Sequence, residues 1–160
     1  MNTSGLILGV LTAFTCLSGK VALAQEFGNW TVGAGQGYVE YAVHNGPGNS
    51  FMFSCDEGAT GKGETKRTSI IIEIVGKAPA PKTNIDVFAD GSRFQLYSDE
   101  IGSVPTDCHV CSDNFSVLWA KMRKSKQLIV TLADGRSATF KLNGAAKALS
   151  AKHCTTGFES

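Results

Sequence analysis

Cys108, His109 and Cys111 stand together in the stretch "TDCHVCSDNF". Two cysteines flanking a histidine can do several kinds of chemistry. As thiols they can exchange electrons with another dithiol, most readily at a helix N-terminus, where the helix dipole favours the thiolate. As thiolates they can hold zinc, with Cys154 and His109 or His153 completing the set. Bonded to each other, they close a tight ring that holds His109 and Val110 outward for a partner. Such a pre-organised contact loop loses little freedom on docking. Asp107 stands beside the ring, and His109 offers donors to carboxylates in a partner's cleft, more strongly when protonated. The plainer alternative is a clip that caps a helix and buries Val110.

The compartment helps to choose among these. Residues 1–24, "MNTSGLILGVLTAFTCLSGKVALA", hold an apolar run from Leu6 to Leu17 and end in Ala22-Leu23-Ala24. That pattern predicts a secretory signal peptide cleaved after Ala24. The run is too short to span a bilayer, and no later segment predicts stable membrane insertion. The n-region has no Lys or Arg, so the N-terminal amine supplies its charge. Export to the periplasm follows, with one domain from Gln25 to Ser160. Its length of 136 residues, the full 160 less the leader's 24, suffices for a real core. Loss of Lys20 leaves fourteen basic residues against fourteen acidic ones, so no basic excess points to nucleic acid.

Cys16 leaves with the leader, and Cys55, Cys108, Cys111 and Cys154 remain. An even count in an oxidising compartment predicts two disulfides. Of the three pairings we favour Cys108–Cys111 with Cys55–Cys154, since the latter ties the chain end to an early strand. Oxidation also disfavours the zinc set.

The elements that must position these residues are mostly strands. "GYVEYAVHN" alternates, with Val39, Tyr41 and Val43 on one face. "SFMFSC" follows a turn at residues 45–48, and "TSIIIEIV" reads as a central strand. "NIDVFADGSRFQLYS" and "QLIVTLADGRSATFKL" each place Asp-Gly between apolar alternations, the same hairpin signal twice. Between them Phe115, Leu118, Trp119 and Met122 recur at helical spacing, which predicts a helix over 113–124 capped by Ser112 or Asp113. Lys121, Arg123 and Lys124 fall on its water side. Trp30 and Trp119 are expected in the core, and "GAAKALSAK" predicts a short last helix. The fold class is therefore mainly β: an antiparallel sandwich or barrel-like domain with one or two short helices, stapled by disulfides.

Catalytic sets are hard to assemble from what is left. The three histidines, His44, His109 and His153, accompany no G-x-S-x-G and no H-E-x-x-H. The carboxylate pairs Asp56/Glu57 and Asp99/Glu100 read as solvated loop charge. Thioredoxin-like enzymes need a βαβ unit before the CxxC and a proline well after it; hairpins precede it here, and no proline follows Pro105. We expect no enzyme and no cofactor.

Two resemblances add to this. "FGNWTV", with "FKLNGAAKAL" and a nearby C-terminal cysteine, resembles the invasion-associated locus B proteins of alphaproteobacteria. That resemblance implies a small exported β-rich protein without catalysis, linked to host-cell invasion. "CHVC" is similar to a shortened form of the histidine-bearing, cysteine-closed loop of Ivy-type periplasmic lysozyme inhibitors. "FMFSCDEG" is similar to the start of membrane-bound lysozyme inhibitors, whose Ser-Gly-x-x-Tyr motif this chain lacks. These resemblances imply a protein partner, a muramidase or other cell-wall hydrolase, plugged by His109. The leading expectation is thus an inhibitor of a peptidoglycan hydrolase with Asp107, His109 and Val110 in contact. An envelope or surface factor of the invasion-associated kind is one alternative, and a thiol–disulfide oxidoreductase using the CxxC is another.

Overall fold

A computed structural model of the chain describes residues 24–58 and 64–160. The predicted leader, apart from Ala24, lies outside these residues. Among the described residues, ten strands form two antiparallel sheets. The first contains β1 (Gln25–Phe27), β2 (Trp30–Gly35), β3 (Tyr38–His44), β4 (Ser50–Asp56), β5 (Ser69–Glu73) and β8 (Val104–Pro105), side by side in that order. The second contains β6 (Asn84–Ala89), β7 (Ser92–Tyr97), β9 (Gln127–Leu132) and β10 (Ser137–Lys141), in the order β10-β9-β6-β7. Helices α1 (His109–Met122) and α2 (Ala145–Ala148) complete the chain. The fold is mainly β, as the alternation predicts.

The period of two decides which side chains go inside. Ile85, Val87 and Ala89 of β6, Leu128, Val130 and Leu132 of β9, and Phe140 of β10 are buried, while the intervening residues turn outward. In β3 the face carrying Val39, Tyr41 and Val43 packs on the core. Both tryptophans are buried, as expected. Trp119 of α1 meets Tyr41 edge-on at 5.0 Å and Phe53 at 4.9 Å, and Phe115 meets Phe53 at 5.2 Å. Because α1 also touches β6 and β7, one apolar cluster joins both sheets through the helix.

Four local expectations change. The two Asp-Gly hairpins do not share a turn. Asp90 and Gly91 both take positive φ, 40° and 80°, as a two-residue type I′ turn requires. Around Gly135 a longer loop closes instead, with Gly135 N–H donating to the Leu132 carbonyl and Leu132 N–H to that of Arg136. The apolar run "TSIIIEIV" is not central, since β5 pairs fully with β4 but meets β8 at only two residues, Ser69 and Ile70. Ile70, Ile72 and Ile74 are buried in the common apolar cluster, while Ile71 is half-buried. Asp56 is no solvated loop charge: it is buried at the end of β4, and its carboxylate accepts from the N–H groups of Gly58 and Arg67. Arg123 turns from water, donating through Nε to the Leu149 carbonyl at 3.0 Å.

The two ends that carry the invasion-associated resemblance meet in space. Asn29 N–H donates to the Asn143 carbonyl at 3.0 Å. A Cβ at Gly28 would sit 2.5 Å from that same carbonyl oxygen, and one at Gly144 would collide with the Phe27 carbonyl. Both glycines also take positive φ, 64° and 92°, so each is required twice over.

Candidate functional site

The apolar stripe of α1 explains where the Cys-His-Val-Cys segment sits. Traced back one turn from Phe115, the buried positions reach Ser112 and the half-buried Cys111. Ser112 looks like a cap by residue type, yet it lies inside the helix with its hydroxyl 2.7 Å from that of the buried Thr156. The helix therefore starts at His109 rather than Asp113, and Cys108 is its N-cap, with extended backbone at φ −110° and ψ 155°. Cys108 Sγ accepts from Cys111 N–H at 3.1 Å, and the Cys108 carbonyl accepts from Ser112 N–H at 2.8 Å. The predicted contact loop is thus the first turn of a helix, because positions three apart share one helical face.

That spacing also brings the two Cα atoms to 5.0 Å, and Cys108–Cys111 is a disulfide. Cys55 and Cys154 form the second, across a sequence separation of 99. Both favoured pairings are present. The zinc set would need thiolates that these bonds consume, and among the described residues no group of three or more His, Cys, Asp and Glu is arranged to hold a metal.

The side chains singled out in the sequence share one surface. His109 is 70% exposed, and Nδ1 lies 3.2 Å from Asp113 Oδ2, one helical turn on. Val110 is 65% exposed, which overturns the clip that buries it. Asp107, the residue before the cap, is exposed.

The C-terminal tail completes the site, and nothing in the local pattern announces it. From Cys154 the chain runs back along residues 106–109. Thr106 Oγ1 accepts from Gly157 N–H at 2.9 Å, and the Thr106 carbonyl accepts from Phe158 N–H at 3.0 Å. A Cβ at Gly157 would press on the Lys66 carbonyl and the Asp107 Cα. The half-exposed Phe158 ring then stands edge-on to His109, centroids 5.2 Å apart. Glu159 ties the tail down: its carboxylate accepts from Thr156 N–H and hydroxyl, both at 3.0 Å. These bonds hold its pKa below the ordinary glutamate value, against the opposing effect of burial. The one sequence signal for all this is the presence of four cysteines beyond the predicted leader, since the partners that tie the tail to the rest of the fold lie 44 to 94 residues away.

Two clefts border the turn. One of about 300 Å³ lies between the edge strands β7 and β8 and the start of α1, walled by Leu96, Tyr97, Val104, Pro105, Cys108 and Val110. The other, about 930 Å³, is larger and polar, with Asp99 and Asp107 among its lining. In the larger one, the Asp99 carboxylate accepts from the N–H groups of Ile101 and Ser103. The smaller cleft has both cysteines of the CxxC in its wall.

Among the described residues no helix is long and apolar enough to cross a membrane. No curated protein and no solved structure matches the chain. The model of one family, YfjT, matches residues 28–149, which span both sheets, α1 and the Cys-His-Val-Cys turn, and the chain belongs to the YfjT family.

Proposed function

We propose that the protein is an exported, non-catalytic periplasmic binding protein that inhibits a peptidoglycan hydrolase by docking its His109 turn on the enzyme's carboxylate-lined cleft. The observation that carries this reading is the exposure of His109 and Val110 on a turn clamped by Cys108–Cys111. The clamp supports it because a turn already fixed by a covalent ring loses little entropy on binding. The chemistry is that of a donor meeting an anion. Nδ1 already meets the Asp113 carboxylate, and Nε2 is the atom left for a partner's carboxylate. The exposed Phe158 and Val110 supply apolar contact area on the same surface.

The test is cell-wall turnover by lysozyme-type muramidases with and without the protein. Inhibition is expected, weakened about tenfold by His109→Ala, the loss of one charge-assisted hydrogen bond. No inhibition at micromolar excess overturns the reading. A second reading, an envelope or host-contact factor of the invasion-associated kind, is favoured by one observation. The two stretches that carry that resemblance form a single backbone contact at Gly28 and Gly144. It predicts binding to outer-membrane components or host cells with muramidase turnover unchanged.

A further inference from the structure

We infer that Cys108–Cys111 is also a disulfide donor, which oxidises a dithiol in an extended polypeptide lying in the apolar cleft between β7 and β8. Two independent observations converge on it. The bond is at the surface, with Cys108 exposed and Cys111 half-buried, unlike Cys55, which is fully buried. Both sulfur-bearing residues form part of the wall of the 300 Å³ cleft, whose remaining lining is mostly apolar side chains of β5, β7, β8 and α1, with Gln95, Thr106 and Asn114 as its polar members. A structural clip needs no such cleft. A site that presents a disulfide to chain segments rich in apolar residues does, because burial of those side chains supplies the binding energy.

The exchange runs in two steps. A substrate thiolate attacks Cys108 Sγ, which belongs to the more exposed residue of the pair. The Cys108–Cys111 bond breaks, its electron pair leaves on Cys111 Sγ, and that sulfur takes up a proton. The second substrate thiolate then attacks the substrate sulfur of the mixed disulfide and expels Cys108 as thiolate. That leaving group sits at the positive end of α1 with Cys111 N–H directed at it, which favours its departure. The substrate dithiol is oxidised to a disulfide and the protein disulfide reduced to a dithiol, one pair per chain. The usual thioredoxin architecture is not needed for these steps; a helix N-cap sulfur and a neighbouring cleft are.

The experiment mixes the purified protein, disulfides intact, with an equimolar reduced peptide bearing two cysteines flanked by Leu and Phe. A control peptide carries Ser and Gly in the flanks, and mass spectrometry after acid quench follows both partners. Expected is oxidation of one peptide dithiol per chain, Cys55–Cys154 untouched, with the apolar peptide reacting about tenfold faster. Val110→Asp and Tyr97→Asp, at exposed positions that leave the core alone, bring the two peptides to equal rates. Cys111→Ser mixed with the oxidised apolar peptide accumulates a mixed disulfide at Cys108, and Cys108→Ser does not. Absence of electron transfer overturns the proposal, as does equal reaction of both peptides with the unsubstituted protein. Neither result bears on muramidase turnover, so the two readings fail separately.

Discussion

Cys55–Cys154 joins positions 99 apart, with Cys55 fully buried in β4, whereas Cys108–Cys111 joins positions three apart at an exposed helix start. The same covalent bond therefore does different work in the two places. In the chain-entropy account, the long closure restrains the unfolded chain by about 4 to 5 kcal/mol and the short one by about 2 kcal/mol. The long bond also fixes the tail, whose Thr156, Gly157 and Phe158 reach the helix start. So the buried disulfide builds the surface on which the exposed one is displayed.

The comparison can be broken most directly by removing each bond. Cys55→Ala with Cys154→Ala should cost about 4 to 5 kcal/mol in urea unfolding, and a loss below about 1 kcal/mol would contradict its structural role. Cys108→Ser with Cys111→Ser should cost about 2 kcal/mol or less, with the fold retained in near-UV circular dichroism. Thr156→Val, which leaves the buried Ser112 hydroxyl without its partner, should cost about 1 to 2 kcal/mol. It should also speed amide exchange at Gly157 and Phe158, since the tail loses its hold on α1. His109→Ala should change stability by no more than about 0.5 kcal/mol, because the side chain is mostly exposed.

The smallest effect is a pH dependence. Glu159 has its folded pKa below the ordinary glutamate value because Thr156 donates to its carboxylate. Its contribution is therefore complete above the ordinary value and is lost as pH falls through the lowered one. Exchange at the Phe158 amide, followed on acidification, should rise in the unsubstituted protein relative to core amides. In Glu159→Gln that relative rise should already be present at neutral pH.

Legibility in the sequence tracked the range of the interactions involved. Strands β3, β4, β6, β7, β9 and β10 announced themselves because alternation and turn residues act over a few positions. The Phe115, Leu118, Trp119, Met122 stripe did the same for α1. Strands β1, β2 and β8 went unread: β1 and β8 are three and two residues long, and β2 reads Trp-Thr-Val-Gly-Ala-Gly, which alternates weakly. The local pattern misplaces the helix start for a specific reason. Ser112 is polar, so it signals a cap, and only Thr156, 44 residues away, makes it a satisfied interior residue.

By itself the sequence determined the β class, the inward faces, the core tryptophans and, through the four cysteines beyond residue 24, the two disulfides. These follow from periodicity and composition, which need no knowledge of distant neighbours. Tertiary structure decided that Cys-His-Val-Cys is a helical turn capped by Cys108, that His109 and Val110 stand outward beside Phe158, and that an apolar cleft opens next to the bond. Each of those depends on where the edge strands β7 and β8 and the C-terminal tail come to rest. Contacts between segments so far apart are settled by packing of the whole core, and no local pattern records them.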